Sequence, residues 1–307
     1  MLRYDNPTVV GFSELNLFGI SFNMSNWHMI DFDNALKDRA DVFFQINVQK
    51  DKTKKVKSYN YIKQQHKPIL VCESNLFRKN SYPITDNRCY YRLGWDHFLR
   101  CGNFNNKNSP SDRWKHIQKL QNLQVKDWRT TGDYIVIVLQ KPGDSTLNSL
   151  YKTYGTYENW IQKTIDQIRK YTNRKIVIRP HLHTTKLNYK QFESIDNNIE
   201  ISNVFKNRTK IEGGKSLEHD YANAYAVVGY NSNSLVESTL EGIPTFAMSD
   251  ESVVWDVSNM NKLQLIETPN RNIDRTQWLY DAAYMIWTKE EIANGTAWNH
   301  LKGVYFE

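Results

Sequence analysis

Asp133-Tyr134-Ile135-Val136-Ile137-Val138-Leu139 places five aliphatic residues in a row. A half-exposed strand alternates apolar and polar positions, and a surface helix repeats every three to four. An unbroken run instead marks a strand covered on both faces, which belongs to a parallel sheet. Thr156 to Tyr171 follows as a helix, with Trp160, Ile161, Thr164, Ile165 and Ile168 on one face. A second buried strand is read at Lys175-Ile176-Val177-Ile178-Arg179, and a shorter one at Ile199-Glu200-Ile201. Leu217 to Tyr225 reads as a helix and Ala226 to Tyr230 as a strand. Ser234 to Leu240 reads as a short helix closed by Gly242, before a last strand at Ile243 to Ala247. Strands alternating with helices define a doubly wound α/β domain with a mostly parallel sheet.

Upstream the pattern is α/β again. Strands are expected at Thr8–Phe12, Asp41–Val48 and Pro68–Cys72, and a helix around Tyr59 to Gln65. Residues 80–115 show no period and hold Gly94, Gly102, Pro110 and many Asn. Such a long irregular stretch is often functional. A joint near Trp128-Arg129-Thr130-Thr131-Gly132 divides the chain into domains 1–130 and 131–290. Gln277 to Leu301 reads as helical, and the tail 291–307, with Trp298, is expected to dock back on the first domain.

The 307 residues carry a net charge of +7 and a pI near 9.0, with 40% hydrophobic and 13% aromatic residues, which excludes general disorder. No apolar run is long enough to span a membrane, and the first residues lack the apolar core of a signal peptide. Cys72, Cys89 and Cys101 have no metal-ligand spacing, so a reduced, cytoplasmic setting is expected. A monomer is expected as well. Residues 1–130 hold 21 Lys and Arg against 12 Asp and Glu, whereas residues 131–307 hold 19 against 21. The basic excess is either a solvated lysine-rich face or a surface that meets a polyanion.

Two constellations stand at strand exits. Arg179-Pro180-His181 follows a buried strand, where Arg and His suit phosphate and the alternative is an ordinary loop. Gly229-Tyr230-Asn231-Ser232-Asn233-Ser234-Leu235-Val236-Glu237 leads from a strand into a helix, where free N–H groups favour anions. Ser234-x-x-Glu237 also fits a capping box, which would explain both residues structurally. No GxxxxGK[ST] and no strand-borne GxGxxG is present, so neither a P-loop nor the usual dinucleotide fold is supported. Gly213-Gly214-Lys215-Ser216 reads as a loop that closes over a ligand.

The stretch Ile176–His181, then Ala224–Ser234, Glu237 and Glu241-Gly242-Ile243-Pro244, resembles the donor-binding domain of GT-B glycosyltransferases of the capsular-polysaccharide type and their phage relatives. The resemblance covers residues 133–247 and departs from the family's RPHP exit at Leu182. Pro68–Arg78 is similar to the family's E-D-G-f-l-R exit, with Ser74 and Asn75 in place of Asp and Gly. The segment Asn103–Trp114 resembles proteins of T-even-like phages.

The resemblance implies two Rossmann-like domains facing a cleft, the first binding the acceptor and the second a nucleotide sugar, most simply a UDP-sugar. It implies donor contacts from Arg179, His181, Ser232, Asn233, Ser234, Glu237, Gln140 and Lys215. Glu73 or Asp96 would be the base, and the cations would make a metal unnecessary. The basic first domain points to double-stranded DNA carrying 5-hydroxymethylcytosine as acceptor. Lys54, Lys55, Arg78, Arg92, Trp95 and Arg113 would then contact phosphate and bases. A capsular polysaccharide or lipopolysaccharide acceptor, and a non-catalytic nucleic-acid-binding role, are the alternatives.

Overall fold

A computed structural model describes residues 6–16, 18–47, 56–182, 187–204 and 214–306. The chain forms two compact units, Met1–Leu123 with Thr276–Glu307 (unit 1) and Gln124–Arg275 (unit 2). The described strands are β1 (Val9–Phe12), β2 (Trp27–Ile30), β3 (Val42–Ile46), β4 (Ile69–Ser74), β5 (Tyr90–Trp95), β6 (Tyr134–Val138), β7 (Lys175–Arg179), β8 (Ile199–Ile201), β9 (Ala224–Gly229), β10 (Thr245–Ala247) and β11 (Ile286–Thr288).

Unit 2 holds a sheet in the order β10-β9-β6-β7-β8, with every pairing parallel. Its first strand, β6, is central because Ile135 to Val138 is apolar on both faces and must be covered on both. The chain adds β7 and β8 on one side of β6 and then returns to place β9 and β10 on the other. The helix Tyr157–Arg169 buries the expected Trp160, Ile161, Thr164, Ile165 and Ile168, and Thr156 caps it by accepting from the Asn159 amide. The helix read over Leu217–Tyr225 stops at Tyr221, and β9 already begins at Ala224. Gly242, at φ +69°, ends the Ser234–Leu240 helix; a Cβ there would lie 2.0 Å from the Asp127 carbonyl oxygen, so only glycine fits.

Unit 1 holds a sheet in the order β11-β5-β4-β3-β1-β2. β1 to β4 are mutually parallel, and β5 runs antiparallel to both β4 and β11. Residues 80–115, unreadable by period, contain β5 and the start of the helix Asp112–Leu120. Gly94 and Gly102 are there for close approach: added Cβ atoms would meet Phe104 Cε1 at 2.4 Å and the His97 carbonyl oxygen at 2.0 Å.

The expected helical tail is broken by β11, which pairs with β5. The chain leaves unit 1 at Leu123, ahead of the Trp128–Gly132 segment, and returns at Thr276 instead of near residue 290. Two observations explain this. Trp128 donates its indole N–H to the Ile273 carbonyl at 2.9 Å within unit 2, while Arg113 of unit 1 holds Ile286 and Glu291. Unit 1 therefore carries 21 Lys and Arg against 15 Asp and Glu, and unit 2 carries 19 against 18. The acidic tail weakens the charge contrast between the two parts.

Candidate functional site

In open α/β sheets, ligands occupy the crevice outside the carboxyl ends of the strands where the strand order reverses. In unit 2 that point falls between β6 and β9, where Leu139-Gln140 and Tyr230-Asn231 leave the sheet. Gln140 and Asn231 bind each other across it. The Gln140 Nε2 donates to Asn231 Oδ1 at 2.7 Å, and the Asn231 amide donates to Gln140 Oε1 at 3.2 Å. Asn231 Nδ2 donates to the Thr146 carbonyl at 2.8 Å and to Glu251 Oε2 at 3.3 Å. Ser149 Oγ donates to the same Glu251 oxygen at 3.1 Å and accepts from the Tyr230 hydroxyl. Three strand exits thereby become one rigid polar floor. Thr146, Ser149 and Glu251 escape a motif reading because they sit in short helical turns and a loop of ordinary composition.

Ser232, Asn233 and Ser234 follow on this floor, but not as a capping box. The Ser234–Leu240 helix has Asn233 as its N-cap, with no side-chain cap bond there. The Ser234 amide instead donates to Ser232 Oγ at 3.3 Å, and the Leu235 and Val236 amides donate to the Ser232 and Asn233 carbonyls. The donors expected to receive an anion at residues 234–236 are therefore already engaged. Glu237 is buried in the same helix. A capping box does occur elsewhere, at Thr288 and Glu291.

Arg179 is at the end of β7, one strand away from the reversal. It is 8% exposed and ion-paired with Asp220, which is 2% exposed and also accepts from Ser202 Oγ at 2.7 Å. The same guanidinium nitrogen donates to the Lys215 and Ser216 carbonyls. This is an internal strut that holds the base of the Gly214–Ser216 segment, in place of the expected open phosphate ligand. Lys215 itself donates to Glu200 Oε1 at 2.7 Å, and this bond raises its pKa. His181 follows Arg179 and is half-buried; residues 183–186 and 205–213, including Gly213, lie outside the described residues.

In unit 1 the residues chosen as base and acceptor contacts are scattered. Glu73 is half-buried at the carboxyl end of β4, and its Oε1 accepts from the adjacent Ser74 amide at 2.7 Å. Asp96 follows β5, which runs the opposite way. It sits beside Ile69, whose carbonyl accepts its amide at 2.7 Å, so it is about 13 Å along the strand from Glu73. Its carboxylate accepts from the Tyr305 hydroxyl. Asp96 and Glu73 are therefore at opposite strand ends of one sheet and do not share a site.

Trp95 is fully buried against Trp298, Tyr305 and Phe306, and donates its indole N–H to the Leu301 carbonyl at 2.8 Å. Arg92 is buried and donates to the Ser74 and Phe98 carbonyls; burial pushes its pKa down to about 10, against the opposing pull of Glu73. Arg113 pairs bidentately with Glu291 over the Trp287 ring. These three side chains hold the unit together and are not presented to a polyanion. Arg78 is exposed and donates to Ser74 Oγ at 3.0 Å, whereas Lys54 and Lys55 lie outside the described residues. Among the described residues, no group of three His, Cys, Asp or Glu could hold a metal.

Burial, with Arg92 adding to it, pushes His97 down to about 4. Its Nδ1 accepts from the Leu99 amide at 3.0 Å, which requires that nitrogen to be unprotonated. The unfolded chain takes up the proton near 6.5 and the folded chain only near 4. Stability contributed by neutral His97 is therefore complete above about 6.5 and is lost as the pH falls to 4, by roughly 3 kcal/mol. Urea midpoints of unit 1 measured from pH 7 to 4 test this, and His97→Gln should flatten the profile.

No protein-family profile and no curated protein matches this chain. Solved structures do. The KpsC beta Kdo 2,4 transferase of Thermosulfurimonas dismutans aligns with a TM-score of 0.53 at 9% identity, over 91% of this chain and 90% of that one. The KpsC beta Kdo 2,7 transferase of the same organism aligns with a TM-score of 0.53 at 12% identity, over 92% and 96%. The likeness is one of fold: two α/β units, one with an all-parallel sheet and one with a mixed sheet whose β1 to β4 are parallel, a GT-B-like arrangement.

Proposed function

We propose that the protein is a glycosyltransferase that moves a sugar from a nucleotide-sugar donor to a hydroxyl of a capsular-type glycan. The observation that carries this reading is the polar floor at the β6/β9 reversal point, in an architecture that aligns with two Kdo transferases over nine-tenths of each chain. The donor belongs to unit 2, above the Gln140–Asn231 floor, with the Ser232–Ser234 turn beside it. Catalysis then consists of orienting the donor, stabilising the departing nucleotide and removing the acceptor proton.

Hydroxymethylcytosine DNA is the less supported acceptor: of the side chains expected to contact it, Trp95, Arg92 and Arg113 are committed within unit 1, and both solved structures named above are Kdo transferases. The test is nucleotide release from a panel of nucleotide sugars, sugar-acid donors included, with capsular oligosaccharides in one arm and hydroxymethylated DNA in the other. Release that requires the oligosaccharide is the expected result. Release with DNA alone would overturn the acceptor, and no release in any arm would overturn the activity.

A further inference from the structure

We infer that Glu14 is the carboxylate that deprotonates the acceptor hydroxyl; the inference rests on the glycosyltransferase reading above. Unit 1 has a reversal point of its own. The chain sets β2 on one side of β1 and then β3 and β4 on the other, so the order reverses between β1 and β3. At that point in an open sheet a ligand lies at the carboxyl ends of the two strands. The residues leaving β1 there are Ser13 and Glu14, and the residue leaving β3 is Asn47.

Glu14 is exposed on the single helical turn Ser13–Leu15, and that turn is fixed from both sides. Leu15 is buried beneath it, and the Asn16 side chain both accepts from and donates to the Ile20 backbone. A second element aims the carboxylate. Ser58, 1% exposed on the helix Val56–Gln64, donates its hydroxyl to Glu14 Oε1. A buried hydroxyl directed onto an exposed carboxylate fixes that carboxylate's orientation.

The neighbouring acids are less suited. Asp31 and Asp33 follow β2, the edge strand, and accept from Ser13 Oγ and pair with Lys57 respectively. Glu73 is two strands from β1, about 10 Å away, and folds back onto its own backbone.

In the step, the acceptor O–H proton passes to Glu14 and the acceptor oxygen bonds to the anomeric carbon. The bond from that carbon to the nucleotide's phosphate oxygen breaks, and its electron pair leaves with the nucleotide. One displacement aided by a base inverts the anomeric centre. Ser58 acts through Glu14 and is a positioning residue.

The test uses the full chain, a nucleotide sugar and a glycan acceptor that the wild type turns over. Glu14→Gln keeps size and polarity and should lower kcat by about 10² to 10⁴. Donor affinity, measured by nucleotide titration, should remain within about twofold, because Glu14 is in the other unit. Formate should restore part of the activity of Glu14→Ala. Ser58→Ala leaves the Glu14 carboxylate free to rotate, so kcat should fall while the KM for the nucleotide sugar stays within about twofold. Wild-type product of inverted configuration is expected.

Wild-type activity with an unimpaired Glu14→Gln, or with loss only in Glu73→Gln, would overturn the assignment and leave the glycosyltransferase reading standing. No wild-type turnover with any donor and acceptor would overturn both.

Discussion

Asp220→Ala is expected to destabilise unit 2 by about 3–5 kcal/mol, because it leaves the Arg179 guanidinium buried without its counter-charge. Asp220 also accepts from Ser202, so the substitution strands a buried hydroxyl as well. Replacing both partners, as Arg179→Met with Asp220→Leu, should recover most of the loss, since an apolar pair of similar volume needs no charge compensation. Denaturant unfolding of the full chain, followed by a probe in each unit, separates the effects. The transition of unit 2 should move to lower denaturant while that of unit 1 stays. If Asp220→Ala left stability unchanged and only weakened nucleotide binding, Arg179 would be a donor ligand after all.

Trp95→Ala is expected to act on the other unit and by as much. It deletes a fully buried indole among Trp298, Tyr305 and Phe306 and leaves the Leu301 carbonyl without its donor. Loss of a buried aromatic of this size costs about 3–5 kcal/mol. Unit 1 should unfold at lower denaturant, and residues 296–306 should become open to proteolysis before the rest. Trp95→Phe should lie between, because the ring is largely kept while the carbonyl still loses its partner. A Trp95→Ala protein of normal stability that failed only to bind acceptor would restore the stacking role.

These two residues show where local sequence stops being informative. An arginine at the end of a buried strand has the same local signature whether it faces phosphate or an aspartate, and Asp220 is 41 residues further on. A tryptophan in an irregular stretch is equally ambiguous when its cover, Trp298 to Phe306, is some 200 residues away. β5 escaped the pattern for the same reason. All of Tyr90–Trp95 is buried, yet Arg92 and Gly94 interrupt its apolar run, and their partners are Ser74, Phe98 and Phe104.

The sequence alone determined the parallel core. β6, β7 and β9 are covered on both faces, and a strand covered on both faces must be apolar at consecutive positions whatever the rest of the chain does. It also determined that Gly242 would close the Ser234–Leu240 helix, since a positive φ there selects for glycine. Tertiary structure alone decided which polar residues are available for chemistry. Strand order set the reversal points at β6/β9 and β1/β3, and partners far along the chain withdrew Arg179, Trp95, Arg92 and Arg113 into the framework. Both depend on pairings across tens to hundreds of residues, whereas hydrophobic periodicity records only what each segment does with its own two faces.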